Sequence, residues 1–302
     1  MTARKGLLTA LKVLGVCFLF ALCFVMGAAL SGLDKIGQQV TPAQPAQQNF
    51  LGAFLTFSIC AGIVLSYLIL RSKWRGWPLV GAIWLGMYGI STVASQVESV
   101  FFLSDKLPHG MITALFLQGA ITATLFAPLA VLILGRWRAP SPVQTTASFK
   151  DLSAPSVAWR LAFIVVAFIF LYMFFGYFVA WRNPDLRQYY GGIDHPNFFA
   201  SLSAAWVSNR AIYWLQIFRA LLYTACLYPL IRMLRVARWE TALAMALFLS
   251  AWTTVLLLPN PLMPPSVAHS HFWETLGFSL VFGALTGSLL WRSQIPTHSA
   301  GS

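Results

Sequence analysis

The sequence predicts an all-α polytopic membrane protein with eight transmembrane helices, and three observations carry that prediction. Hydrophobic residues make up 58% of the 302-residue chain, charged residues only 9%, and the mean hydropathy is +0.72. An ordinary soluble domain carries about 25% charged residues, so the solvent for this much apolar surface must be lipid. Eight stretches reach the roughly 20 apolar residues needed to cross a hydrocarbon core. Lys and Arg, finally, fall overwhelmingly on one side of those stretches, as the positive-inside bias of membrane proteins produces.

Taken in order, the first stretch runs from Val13 to Leu33 behind Arg4 and Lys5. A signal peptide would start similarly, but its apolar run is about 7 to 15 residues, shorter than this one. Phe50 to Leu70 and Pro78 to Glu98 follow, the latter thinned by Gly81, Gly86 and Gly89 so that another helix can approach closely. Met111 to Leu134 completes a first group of four. The second group comprises Leu161 to Trp181, Ile212 to Ile231, Ala242 to Leu258 and His271 to Leu290. Its third member is the shortest and ends where Pro259, Pro261, Pro264 and Pro265 interrupt helix formation. Its last member carries Gly283 and Gly287 as a GxxxG packing pair.

The Pro-, Ser-, Thr- and Ala-rich segment 139–156 reads as a linker between a first half, residues 1–138, and a second half, residues 157–302. In both halves the second span ends in a basic run closing on Trp, at Arg71 to Arg75 and at Arg232 to Trp239. The fourth spans start near His109 or near His269 and His271, and end at Trp137 or Trp291. Two parallel four-helix repeats would produce these parallels. So would any even set of membrane hairpins with basic residues and Trp on one face, and the sequence leaves both open.

With the N-terminus cytoplasmic, fourteen basic residues lie inside, five (Lys35, Lys106, Arg182, Arg187, Arg210) lie outside, and the twentieth, Arg219, falls within a span. Both termini are therefore expected in the cytoplasm, and we read the chain as a multi-pass protein of a bacterial inner membrane. The net charge of +12 sits beside membrane edges rather than on a separable domain. Anionic headgroups at the cytoplasmic face, not nucleic acid, are the expected partner. The adjoining Trp residues form an interfacial belt. Cys17, Cys23, Cys60 and Cys226 lie within spans, have no CxxC spacing, and read as small buried apolar residues. The outside loop from Arg182 to Arg210 is long enough to hold a short capping or re-entrant helix.

No Walker, HExxH, GxSxG or GxGxxG motif occurs, which argues against ATP-driven or nicotinamide chemistry in this chain. Arg219 stands out because it lies about seven residues, or roughly 10 Å, inside its span. An unpaired charge there costs on the order of 3 kcal/mol on insertion scales. Gln216 and Tyr223 share its helix face, and Glu98 or Glu274 at neighbouring outer helix ends would pair with it. Gln96 extends the polar face of the third span, and Gln118 with Thr122 forms a polar pair on the fourth. An outward-facing site lined by the third, fourth, sixth and eighth spans is expected. The competing readings are a buried ion-pair staple and polar stripes that pack dry.

A second constellation is His269, His271 and Glu274, with His109 entering from the fourth span. His271 and Glu274 have the i,i+3 spacing used by metal-binding bundles, so zinc or iron would be the cofactor. Interfacial histidines also serve as ordinary hydrogen-bonded groups. Three functions compete: a small-solute or proton-linked transporter using Arg219, Glu98 and Glu274; a metal-dependent membrane enzyme on a lipid-linked or periplasmic substrate; and a non-catalytic scaffold subunit.

Overall fold

The computed structural model describes residues 2–38, 49–138, 154–260 and 262–291. The chain is an all-α polytopic protein, with eight helices long and apolar enough to span a membrane. In chain order these are α1 (Thr2–Ser31), a short α2 (Leu33–Gln38), α3 (Phe50–Arg71) and α4 (Gly76–Met87), which continues through a π-helical segment (Tyr88–Ala94) into α5 (Ser95–Leu103). Next come α6 (Met111–Ile133), α7 (Ala154–Phe178), the short helices α8 (Pro184–Tyr190) and α9 (Phe198–Ser208), then α10 (Ala211–Met233), α11 (Arg238–Thr253) and α12 (Pro265–Leu290). The third span is thus α4, the π segment and α5 in series, and α11 is extended by a 3-10 turn over Thr254–Leu257.

The helices outrun the apolar stretches that announce them. The third span reaches Leu103 instead of ending at Glu98, and the last starts at Pro265 instead of His271. A helix need not stop where hydropathy falls, because its backbone hydrogen bonds are satisfied internally in headgroups as well as in oil. Pro265 occupies the first turn of α12, where a missing N–H costs nothing. In the 182–210 loop, α8 and α9 are too short to cross: eleven residues of α9 rise only about 17 Å. Residues 139–153 of the expected linker lie outside the described residues, while 154–156 already belong to α7. Lys150, Asp151, Pro261, Arg292 and His298 are likewise outside the described residues.

Helix neighbours recur between the halves. α1 packs on α3 and α6, and α7 on α10 and α12; α4 meets α6 and α10, and α11 meets α12 and α3. Van der Waals packing of rings supplies much of the cohesion, as expected where lipid removes the hydrophobic drive between helices. Phe20 of α1 lies edge-on to Phe57 at 5.2 Å and Phe126 at 5.5 Å. Phe168 of α7 meets Tyr223 at 5.4 Å and Phe282 at 5.0 Å in the same manner. Gly283 lets α12 approach α11 so closely that a Cβ there would stand 2.6 Å from the Ala246 Cα.

The halves meet through reciprocal backbone hydrogen bonds at the end of the bundle where α3 finishes and α10 finishes. The Lys73 amide donates to the Met233 carbonyl at 2.7 Å and the Arg235 amide to the Arg71 carbonyl at 3.2 Å, making an antiparallel bridge between Ser72 and Leu234. The Arg136 guanidinium donates to the Ser72 carbonyl, and Glu240 of α11 accepts from Arg71 at 2.8 Å and from the Tyr67 hydroxyl at 2.5 Å. This basic end is therefore closed. The opposite end is assembled around the polar groups described next.

Candidate functional site

Glu98 reaches Arg219 because α4 and the π segment that lead into α5 pack on α10, and the sequence arranges that locally. Gly86 and Gly89 face α10 without side chains, and a Cβ on Gly89 would fall only 2.2 Å from the Cys226 Sγ. The π segment around Gly89 holds one more residue per turn than α-helix does, which rotates everything after it. Glu98 then comes to face Arg219, and its Oε2 lies 2.6 Å from the guanidinium. The Arg219 side chain is 7% exposed and that of Glu98 33%, so the cation is enclosed while the carboxylate keeps an opening to solvent or headgroups.

Arg219 also donates to the Gln216 Oε1 at 2.9 Å, one turn back on α10. The rings of Phe168, Tyr172 and Tyr223 surround the guanidinium carbon at 5.8 to 6.0 Å. These rings separate it from lipid and add cation–π attraction. The coordination is incomplete: the Arg219 Nε and the Gln216 Nε2 are buried with no hydrogen-bond partner among the described residues, while the Gln96 Oε1, also unpartnered, lies two residues from Glu98 and hence on another side of α5. Buried polar atoms are nearly always partnered, so the two unpaired donors of Arg219 and Gln216 mark a place that water or a polar solute would complete.

Glu274 does not pair with Arg219. Its Oε2 lies 2.7 Å from the His271 Nδ1, one turn earlier on α12, and the His271 Nε2 lies 3.0 Å from the Tyr190 hydroxyl of α8. Burial and the nearby Tyr189, Glu98 and Glu274 raise the pKa of the Tyr190 phenol, so it stays protonated. The tautomer assigned by these partners has Tyr190 donating to Nε2 and Nδ1–H donating to Glu274. A protonated imidazole would need only the Tyr190 hydroxyl hydrogen to turn away. Glu98 and Glu274 both lie within electrostatic range of the Tyr172 phenol, which ties the two pairs into one cluster.

The other expected residues are placed elsewhere. His269 lies two residues from His271, hence on another side of α12, where it accepts from the Trp273 indole at 3.0 Å. His109 is in the turn before α6, in the other half of the chain. Among the described residues no three His, Cys, Asp or Glu side chains gather closely enough to hold a metal ion, so His109, His269, His271 and Glu274 do not form one ligand set. Gln118 is buried on α6 against α1, where a Cβ on Gly27 would meet its carbonyl at 2.8 Å, and Thr122 donates to the Cys23 carbonyl at 3.3 Å. The fourth span's polar pair therefore serves helix packing, and the fifth span takes its place beside Arg219 through Phe168 and Tyr172. Sequence reasoning missed both of these. The Tyr172 hydroxyl within an otherwise apolar span was the available signal; Tyr190 had none, because only the docking of α8 on α12 brings it in.

The cluster can exchange protons and hydrogen-bond a small polar group. It holds one fixed cation, two carboxylates and one imidazole, so its net charge is about −1 with neutral His271 and zero with His271 protonated. Such a balance suits a proton or a zwitterionic or cationic solute better than a free anion. These properties rest on geometry alone, since no family model, curated protein or solved structure matches the chain.

Proposed function

We propose that the chain is a proton-linked carrier of small polar solutes, built from two parallel four-helix repeats, with Glu98, Arg219, Gln216, Tyr172, His271 and Glu274 as its binding and coupling site. The observation that carries this reading is the Glu98–Arg219 ion pair at 2.6 Å, which joins the first half to the second at the end opposite the backbone bridge. The contact between halves is thus closed at both ends by different chemistry. At the basic end it is backbone hydrogen bonds; at the other it is a pair that protonation of one carboxylate would discharge. Opening the two ends in alternation, with Glu98 neutralised when the site is exposed, would couple a proton to a solute.

The recurrent helix neighbours support the repeat, and ring contacts extend it to the site. Phe57 of α3 meets Phe20 and Phe24 of α1, each at 5.2 Å between centroids. On the corresponding helices α10 and α7, Arg219 meets Phe168 and Tyr172. One half is filled with rings where the other holds a charge, giving one polar site per chain. Localisation in a bacterial inner membrane, with the basic end cytoplasmic, follows from the positive-inside bias in the sequence and belongs to the same proposal.

The test is solute-pulse current from proteoliposomes on a supported membrane, offering amino acids, carboxylates, polyamines and inorganic phosphate in turn at two pH values. A current for at least one class that grows with the imposed proton gradient, and is lost in Glu98→Gln and in Arg219→Gln that remain folded, is expected. Folded wild type giving no current for any class, or variants giving wild-type current, overturns the proposal.

A further inference from the structure

At the basic end a pocket of about 170 Å³ opens between the start of α7, the start of α11 and the last turn of α12. Trp159, Arg160, Arg238, Ser288, Leu289 and Trp291 line it. That volume is several times the roughly 30 Å³ share of one water in the liquid, enough for a tetrahedral anion with part of its ester arms. From this geometry we infer that the pocket is a phosphate-binding site, filled from the membrane by the headgroup of an anionic phospholipid.

Four features converge on that chemistry. The two guanidiniums are held in place by the α12 C-terminus: Arg160 donates to the Leu289 carbonyl at 2.7 Å and Arg238 to the Ser288 carbonyl at 3.1 Å. These bonds fix the cations against the negative end of the helix dipole and occupy only one of the five N–H donors of each. The Arg160 Nε is buried and has no hydrogen-bond partner among the described residues. No side chain caps the N-terminus of α11, which starts at the pocket-lining Arg238, so the positive end of that helix lies beside the pocket. The acid closest in sequence, Glu240, is engaged by Arg71 and Tyr67 of the other half and does not neutralise the pocket.

The position selects the source. Trp159 is exposed at its rim, and the Trp291 indole donates to the Val236 carbonyl at 3.0 Å beneath it, so the walls have the aromatic character of a headgroup boundary. Arg forks match phosphate oxygens in pairs, whereas phosphatidylcholine brings its own cation to the same place. A site with two fixed guanidiniums therefore discriminates phosphatidylglycerol from phosphatidylcholine, which the diffuse attraction of surface lysines to an anionic leaflet does much less sharply. Neither the pocket nor its partner depends on the carrier reading.

Native mass spectrometry of the purified full chain tests this, with phosphatidylglycerol or phosphatidylcholine added to the detergent and inorganic phosphate as competitor. Wild type should retain one phosphatidylglycerol at least ten-fold more tightly than phosphatidylcholine, and Arg160→Gln with Arg238→Gln should remove that preference. Arg138→Gln, at the same end but outside the pocket, should keep it. Ser288→Phe leaves both cations and the α12 carbonyls in place but fills the pocket; it should also expel the lipid, which separates loss of the site from loss of fold. Inorganic phosphate below about 10 mM should not compete if the lipid's tails add to the affinity; competition there would overturn the lipid as source while retaining the phosphate chemistry. Equal retention of the two lipids by wild type, or unchanged retention in both the Arg variants and Ser288→Phe, would overturn the site itself.

Discussion

Removing the partners of the Arg219–Glu98 pair one at a time and then together gives the sharpest test of the site's energetics. Unit charges about 4 Å apart attract by about 4 kcal/mol at an effective permittivity near 20 and by about 1 kcal/mol in water. Arg219 is enclosed but a third of the Glu98 side chain is open, so the pair lies between those limits, at about 2 kcal/mol of coupling. The two single variants should not be equal. Glu98→Gln keeps an amide oxygen as acceptor but leaves the buried guanidinium without its counter-charge, and should cost about 2 kcal/mol. Arg219→Met leaves a carboxylate that can turn toward solvent and puts an apolar chain among Phe168, Tyr172 and Tyr223, and should cost about 1 kcal/mol. The double variant should resemble Arg219→Met alone. Unfolding in mixed micelles titrated with dodecyl sulfate, followed by circular dichroism, measures all four corners of the cycle. Additivity within about 0.5 kcal/mol, or Arg219→Met as the costlier change, would refute the picture of a buried cation that depends on its acid.

Three further outcomes follow from the packing and the two closed ends. Gly283→Ala drives a methyl into the α11 backbone and should destabilise by about 2 kcal/mol, whereas Gly81→Ala meets open space and should not; thermal melts of both variants check the contrast. Lys73, between spans, has its pKa lowered by burial and then by Arg232 and Arg235. Its folded form binds fewer protons than its unfolded form between the lowered value and 10.5, so stability should rise with pH through that window, and Lys73→Met should raise the melting temperature at pH 7 and flatten the rise. Cysteines at Ser72 and Leu234, residues of an antiparallel bridge with Cα atoms about 5 Å apart, lie within disulfide range. On the carrier reading, oxidising that pair should stop solute-pulse currents and reduction should restore them; full turnover through the closed cross-link would contradict it.

The number of spans was readable because hydropathy reports the solvent of a helix directly, one residue at a time. Arg219 was readable for the same reason, as a charge in the wrong solvent. Its partner was not. Glu98 and Glu274 occupy similar helix ends, and the choice between them depends on the rotation of α5 against α10, which one extra residue in the π segment helps to set. Nothing in the composition of Tyr88–Ala94 announces that residue. The proposed ligand set failed to assemble for a related reason: residues two apart on α12 diverge in direction, and His109 sits in the turn before a helix whose polar side faces α1. Linear spacing fixes which neighbours share a face, but not which faces meet.

The π segment makes the site sensitive to counting rather than to chemistry. Each residue advances a helix by about 100°. Forcing ordinary winding on Tyr88–Ala94 with its length unchanged would swing everything from Ser95 to the end of α5 by about that angle, aiming the Glu98 carboxylate away from α10 without altering a single functional side chain; deleting one residue as the winding tightens would nearly cancel the swing. A loss of one codon there should therefore be better tolerated than the same loss within the regular turns of α4 or α5.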